Sequence, residues 1–162
     1  MIREALEMIL NSYLDAKTEN FINHPLADLI RNTYPKALSL IVPDEDRYIC
    51  EGGAGQSKWA DCPWLVTMDS LVTTSVEKGY YIAYLFKCDM SGVYLTLAQS
   101  ITILRENYHS IAKDILVSQA ERYRQYINQP TGSMLSVVEL CPNVPQPSVK
   151  EGIRPVLIPT HP

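Results

Sequence analysis

Tyr80-Tyr81-Ile82-Ala83-Tyr84-Leu85-Phe86-Lys87-Cys88-Asp89-Met90-Ser91-Gly92-Val93-Tyr94-Leu95-Thr96-Leu97-Ala98 is the stretch that decides the fold. Seven β-favouring residues are followed by a polar break and a second apolar run, the pattern of a hairpin. Asp89-Met90-Ser91-Gly92 has Asp first and Gly last, as a type I turn prefers. Side chains alternate along a strand. Tyr80, Ile82, Tyr84 and Phe86 therefore share one face, and Tyr81, Ala83 and Leu85 the other. On the returning strand Val93, Leu95 and Leu97 stand against Tyr94, Thr96 and Ala98. Both faces are largely apolar, so both require a cover. Tyr80, Ile82, Tyr84 and Phe86 are assigned to the core.

Working outward, Trp64 to Met68 reads as a strand entered through Pro63, and Arg47 to Glu51 as another. Gly52-Gly53-Ala54-Gly55 between them reads as a loop that needs positive φ. Thr73-Thr74-Ser75 reads as a polar loop. Ile2, Ala5, Leu6, Ile9, Leu10, Tyr13 and Leu14 recur at helical spacing, which predicts an amphipathic helix over 2–18. Asn23-His24-Pro25 starts a second helix, with Pro25 in its first turn. Tyr34-Pro35 is expected to end it, because proline disfavours the α region for its predecessor. Ala37 to Val42 reads as a short extended piece, and Pro43 to Asp46 as a turn. Ile101, Leu104, Tyr108, Ile111, Ala112, Ile115 and Gln119 carry helical period to about residue 125. Ser136 to Leu140 reads as a late strand. The sum is an α+β domain over residues 1–141, with a mixed, curved central sheet flanked by helices. A proline-rich extended tail or linker follows over 142–162.

The chain has 162 residues, 46% of them hydrophobic, enough for one domain with a core. No apolar run approaches the roughly 20 residues of a membrane span. The first residues carry acids where a signal peptide is basic, so a cytoplasmic location is expected. Cys50, Cys62, Cys88 and Cys141 fit no zinc spacing and are read as free thiols. His24, His109 and His161 are far apart. Neither a metal nor a cofactor is expected. Net charge is −4, not the footprint of a strongly electrostatic DNA binder. Residues 1–46 hold 4 basic and 8 acidic side chains, so the acidity lies at the N-terminal end.

No nucleophile elbow, zincin helix or phosphate loop is present, and no helix start follows Gly52, Gly53 and Gly55 to receive a phosphate. Cys62 has no nearby group to depress its pKa and is read as structural. No catalytic residue is assigned. Tyr81 and Leu85 flank the small Ala83 on one strand face. Such a large–small–large row leaves a recess, and Trp64 can wall it. An aromatic wall over an apolar floor suits a stacked base, although a buried core uses the same residues. Trp59 is assigned to the core.

Gly52-Gly53-Ala54-Gly55-Gln56-Ser57-Lys58-Trp59-Ala60-Asp61-Cys62-Pro63-Trp64, then Gly79-Tyr80-Tyr81-Ile82-Ala83-Tyr84-Leu85-Phe86, then Gly92-Val93-Tyr94-Leu95-Thr96-Leu97-Ala98-Gln99 resemble the McrB-type N-terminal DNA-binding domain. The resemblance is close over residues 52–99 and looser over the helices. It implies a reader of double-stranded DNA carrying 5-methylcytosine or a related modified cytosine, which turns the modified base out of the duplex. Its partner would be a nuclease or NTPase effector, in cis or in trans. The resemblance implies a base pocket at Trp64 and Leu85, and Tyr81, which shares the strand face of Leu85, is assigned to the same pocket. The resemblance implies loop contacts with DNA at Gly53, Gly55, Gln56, Ser57 and Lys58; by their chemistry Lys58, Thr74, Ser75 and Lys78 are assigned to phosphates, which position rather than specify. Some relatives carry an aromatic residue in the glycine loop, where this chain has Ala54, Gln56 and Ser57. Tyr123 and Tyr126 are candidates for a second aromatic lid. The alternative is an interaction or assembly module of the same fold that does not bind DNA.

Overall fold

Four strands follow one another as an antiparallel meander in the order β1 (Tyr48–Gly55), β2 (Trp59–Asp69), β3 (Tyr80–Phe86) and β4 (Val93–Gln99). The computed structural model describes residues 2–126 and 138–141, and the backbone of 156–158. A short strand β5 (Val156–Ile158) adds to the free edge of β4, pairing with Leu95 to Leu97. It lies within the stretch read as a tail. The α+β class holds. Every described ladder is antiparallel rather than mixed; from β1 to β4 each connection between neighbouring strands is too short for the crossover that a parallel pair needs.

The β3–β4 hairpin follows its alternation closely. Its turn begins two residues early, at Lys87, whose carbonyl accepts from Met90 N at 3.0 Å. Met90 takes a φ of 54° and is buried among the N-terminal helices' core residues, so Asp89 to Gly92 is not a type I turn. Asp89 still organises the bend, accepting from Ser91 N and Oγ.

The glycine run is a correction. Gly52 and Gly53 lie within β1 rather than in a loop. Glycine weakens a strand unless something must approach its backbone, and here something does. A Cβ on Gly52 would stand 1.9 Å from Ile30 O, where helical backbone packs on the strand. Only Gln56 to Lys58 remain as the turn between β1 and β2. The register shifts between Gly53 and Gly55. Pro63 sits inside β2, completely buried. The β2–β3 ladder begins one residue later, at Trp64, so the proline removes no ladder hydrogen bond.

Helix α1 (Ile2–Ala16) buries Ala5, Ile9, Tyr13 and Ala16, the face its spacing predicts. Helix α2 (Pro25–Asp28) starts as expected. His24 Nδ1 accepts from Leu26 N at 3.1 Å, and Pro25 occupies the first turn. The chain does not stop at Tyr34-Pro35. A π-helical segment (Leu29–Thr33) carries it into α3 (Tyr34–Ser39). Tyr34 N donates to Leu29 O, five residues back. The wider turn takes up the proline, which lacks a donor of its own. Ala37 to Ser39 are thus helical, not extended.

These helices cover one end of one sheet face. Tyr13, Ile30, Leu65 and Phe86 are fully buried there, with Tyr84 and Val93 at the margin. Trp59 is core as expected. Its ring meets those of Tyr13, Phe21 and His24 edge-on, and its Nε1 donates to Glu19 O at 3.0 Å. Tyr80 and Ile82, assigned to the same core, are each 36% exposed. They stand at the other end of β3, beyond the reach of α1–α3.

The C-terminal helix is broken into α4 (Thr102–Tyr108), a 3₁₀ turn (His109–Ile111) and α5 (Ala112–Tyr126). His109 takes φ 46°, which rotates the two halves out of phase. Ala112, Leu116 and Ala120 face inward, while Tyr108 and Ile111 are exposed. Val138 to Cys141 are not strand. Ser136 and Val137, the start of the expected late strand, lie outside the described residues.

Candidate nucleic-acid interface

On the sheet face opposite α1–α3, cross-strand pairing lines side chains into rows. The first is Gly53, Trp64, Leu85 and Tyr94. The second is Glu51, Val66, Ala83 and Thr96. The third holds Ile49 and Met68 on one side, Tyr81 and Ala98 on the other. Directly opposed residues in an antiparallel pair have Cβ atoms about 5 Å apart. Trp64 and Leu85 therefore stand side by side, as the resemblance implies. Tyr81 shares their face two rows away.

Gly53 explains how Trp64 is held. A Cβ there would fall 2.3–2.6 Å from the Cε2, Cζ2 and Nε1 atoms of the indole. The ring lies flat across the β1 backbone, and only glycine leaves it room. Trp64 and Tyr94 are half-buried, and Leu85 is buried between them.

The recess expected at Ala83 is closed. Ala83 and Thr96 are both fully buried, and Thr96 Oγ1 donates to Ala83 O at 3.1 Å. Val76 and Leu140 pack onto this apolar cluster. Tyr81 belongs to it as well. Its hydroxyl donates to Val76 O at 3.0 Å, and burial pushes its pKa up to about 12. The accessible positions of the face are Trp64 and Tyr94 in the first row, both half-buried, and the exposed Glu51 at the β1 end of the second.

The β1–β2 turn lies just past that row. Gly55 takes φ 121°, and a Cβ there would meet Lys58 O at 1.9 Å. The Arg31 guanidinium lies over the Phe21 ring and donates to the carbonyls of Gly55 and Gln56. Tyr13 Oη donates to Ala60 O at 2.9 Å and is 3.2 Å from Ala54 O. The turn is thus braced from both helices. Gln56, Ser57 and Lys58 project from it, exposed, while Ala54 is buried.

The second nominated loop is not brought to this place. Thr74, Ser75 and Lys78 lie at the other end of β2, roughly 30 Å of extended chain away. Thr73 anchors that loop, the single proton of its buried hydroxyl shared between the carbonyls of Ser75 and Lys78, each 2.9 Å away. Beside it, Arg47 pairs with Asp69, following Asp44, Glu45 and Asp46. That end of the sheet is mainly acidic. Tyr123 is also misplaced for a lid over Trp64. Its ring is 5.0 Å from that of Tyr80, on the opposite face. Tyr126 is exposed.

Two contributors were not nominated from sequence. Tyr94 follows once the β3–β4 register is known, since it opposes Leu85. Arg31 carries no local signal at all.

Among the described residues no cluster of His, Cys, Asp and Glu is placed to hold a metal ion, and no helix is long and apolar enough to cross a membrane. No curated protein and no solved structure matches the chain. The family model described as MrcB-like, N-terminal domain matches residues 8–143. It supports a DNA-binding targeting module of a restriction system, a binding unit. The match takes in α1 from Met8 onward, the four-stranded meander and both C-terminal helices: the chain belongs to the MrcB-like N-terminal domain family.

Proposed function

We propose that this chain reads modified cytosine in double-stranded DNA by turning the base out of the stack against Trp64 and Leu85. It would target an effector nuclease or NTPase supplied in cis or in trans. One observation carries the reading. Trp64 and Leu85 share a cross-strand row whose neighbours are Gly53 and Tyr94, and the braced turn at Gly55 to Lys58 stands beside it.

The indole stacks on the extruded base, and Leu85 meets its edge or a 5-methyl group. One buried methyl contributes roughly 1 kcal/mol, so discrimination by the methyl alone is modest. Gln56 and Ser57 occupy the gap left in the duplex with polar groups, and Lys58 meets a phosphate, which positions rather than specifies. Tyr81, bonded to the loop at Val76, supports the pocket floor. Thr74, Ser75 and Lys78 contact DNA only if the duplex runs the length of the sheet, past an acidic end that repels it.

The test is a titration with matched duplexes bearing cytosine, 5-methylcytosine or 5-hydroxymethylcytosine. Tighter binding to a modified duplex is expected, with discrimination lost in a folded Trp64→Ala chain. Absence of binding to every duplex would favour the interaction module, to which the net charge of −4 already lends weight.

A further inference from the structure

Cys62, Cys88 and Cys141 come from three separate stretches of chain and meet at one place. Cys62 stands in β2 immediately before the buried Pro63. Cys88 follows the end of β3, and Cys141 closes the described segment 138–141. The Sγ atoms of Cys62 and Cys141 are 3.5 Å apart. Cys88 N donates to Leu140 O at 2.9 Å, which fixes the height of that segment against the sheet. Leu140 in turn packs on the apolar cluster that includes Trp64. Cys50 lies apart, its Sγ 3.5 Å from Thr67 Oγ1.

We infer that Cys62 and Cys141 are a reversible dithiol–disulfide pair, a covalent latch that fixes segment 138–141 onto β2 beside Trp64. Closing the bond brings the sulfurs from contact to about 2.05 Å. The oxidant is a low-molecular-weight disulfide. One protein thiolate attacks it, forming a mixed disulfide and releasing one small thiol. The second protein thiolate then displaces the other small thiol. Two protein thiols lose two protons and two electrons, and one small disulfide becomes two small thiols.

The surroundings set the character of the latch. Burial, then the other thiols, then Asp61 push the Cys62 thiol up. Burial, Cys141 and Asp89 raise Cys88 to about 11. A thiol that holds its proton attacks slowly, but it is also a poor leaving group. Cys62 is therefore a slow attacking thiol when the bond closes and a poor leaving group when it opens. The closed bond spans 79 residues, and a loop of that size removes much entropy from the unfolded chain.

The inference does not depend on the DNA reading. The full chain is incubated with oxidised glutathione at pH 8.5, alkylated and mapped by mass spectrometry without reduction. A single internal Cys62–Cys141 link is expected. It should be reversed by dithiothreitol, retained in Cys88→Ser and lost in Cys141→Ser. Cys50 should remain alkylated, and Tm should rise by at least roughly 5 °C. A dominant Cys88–Cys141 link, glutathione adducts without an internal link, or a fall in Tm on closure would each overturn it.

Discussion

Gly53 and Trp64 make one unit at the scale of the residue. The indole occupies the volume where any other side chain would begin at position 53. Gly53→Ala is expected to displace the ring and destabilise the fold by about 1–3 kcal/mol, the usual range for overpacking. Urea unfolding reads the loss, and the tryptophan emission spectrum reads the displacement. An alanine chain with unchanged stability and spectrum would show that the ring does not lie across β1. Gly55 is required for a different reason, its positive φ at the turn. Gln56 to Lys58 are then held out by Arg31 and Tyr13 rather than by their own chemistry, so the exposed tip is short, polar and braced.

Among the elements, the β1–β2 pair has two unlike ends. The turn end is tied to the helices. The open end is tied by Arg47, whose guanidinium donates to both oxygens of Asp69. Asp69 also accepts from Leu71 N at 3.0 Å. The hydrogen bonds from Arg47 hold its carboxyl below the usual carboxylate range, with help from Leu71 N. A carboxyl depressed in the folded state adds stability above its unfolded pKa of about 3.9, and the gain is lost as pH falls through the folded value. Asp69→Asn should therefore weaken the fold at pH 7, and the gap to the parent chain should narrow below about pH 4. Urea midpoints at pH 7 and pH 3 measure this. An equal gap at both would remove the ion pair as its cause.

For the molecule as a whole, charge limits how DNA can be held. Net charge is −4, with Asp44, Glu45, Asp46 and Asp69 at the open end of the sheet and Glu51 exposed on the candidate face. Lys58 and Arg31 are the basic groups at the turn, and Arg31 is already committed to carbonyls. Few phosphates are neutralised, so affinity should fall only shallowly with salt, at about 0.9 in log–log slope per phosphate. Lys58→Ala is expected to weaken binding to modified and unmodified duplexes alike and to reduce the slope by about 1. Anisotropy titrations at several salt concentrations give both. A loss confined to the modified duplex would instead make Lys58 part of base recognition.

The sequence by itself determined whatever rests on local periodicity and local turn chemistry. Alternation over Tyr80 to Ala98 specified the central hairpin and the two faces, because a strand has no other way to sort side chains. Helical spacing specified α1, and His24-Pro25 the start of α2. The pairing of Trp64 with Leu85 was legible through motif resemblance. Tertiary structure decided the rest. Gly52 and Gly53 read as loop, since the reasons they are strand, Ile30 O and the Trp64 indole, come from elsewhere in the chain. Tyr34-Pro35 read as a stop, since a π-helical turn answers to packing rather than to propensity. Helical period ran through His109, although a positive φ there turned Tyr108 and Ile111 of the expected face to solvent. The recess at Ala83 was read from one strand alone, and it closed because a loop and a C-terminal segment settled over it. What remained accessible was Trp64 and Tyr94, on either side of the buried Leu85 in a row of four residues from four strands that the register of the sheet places together.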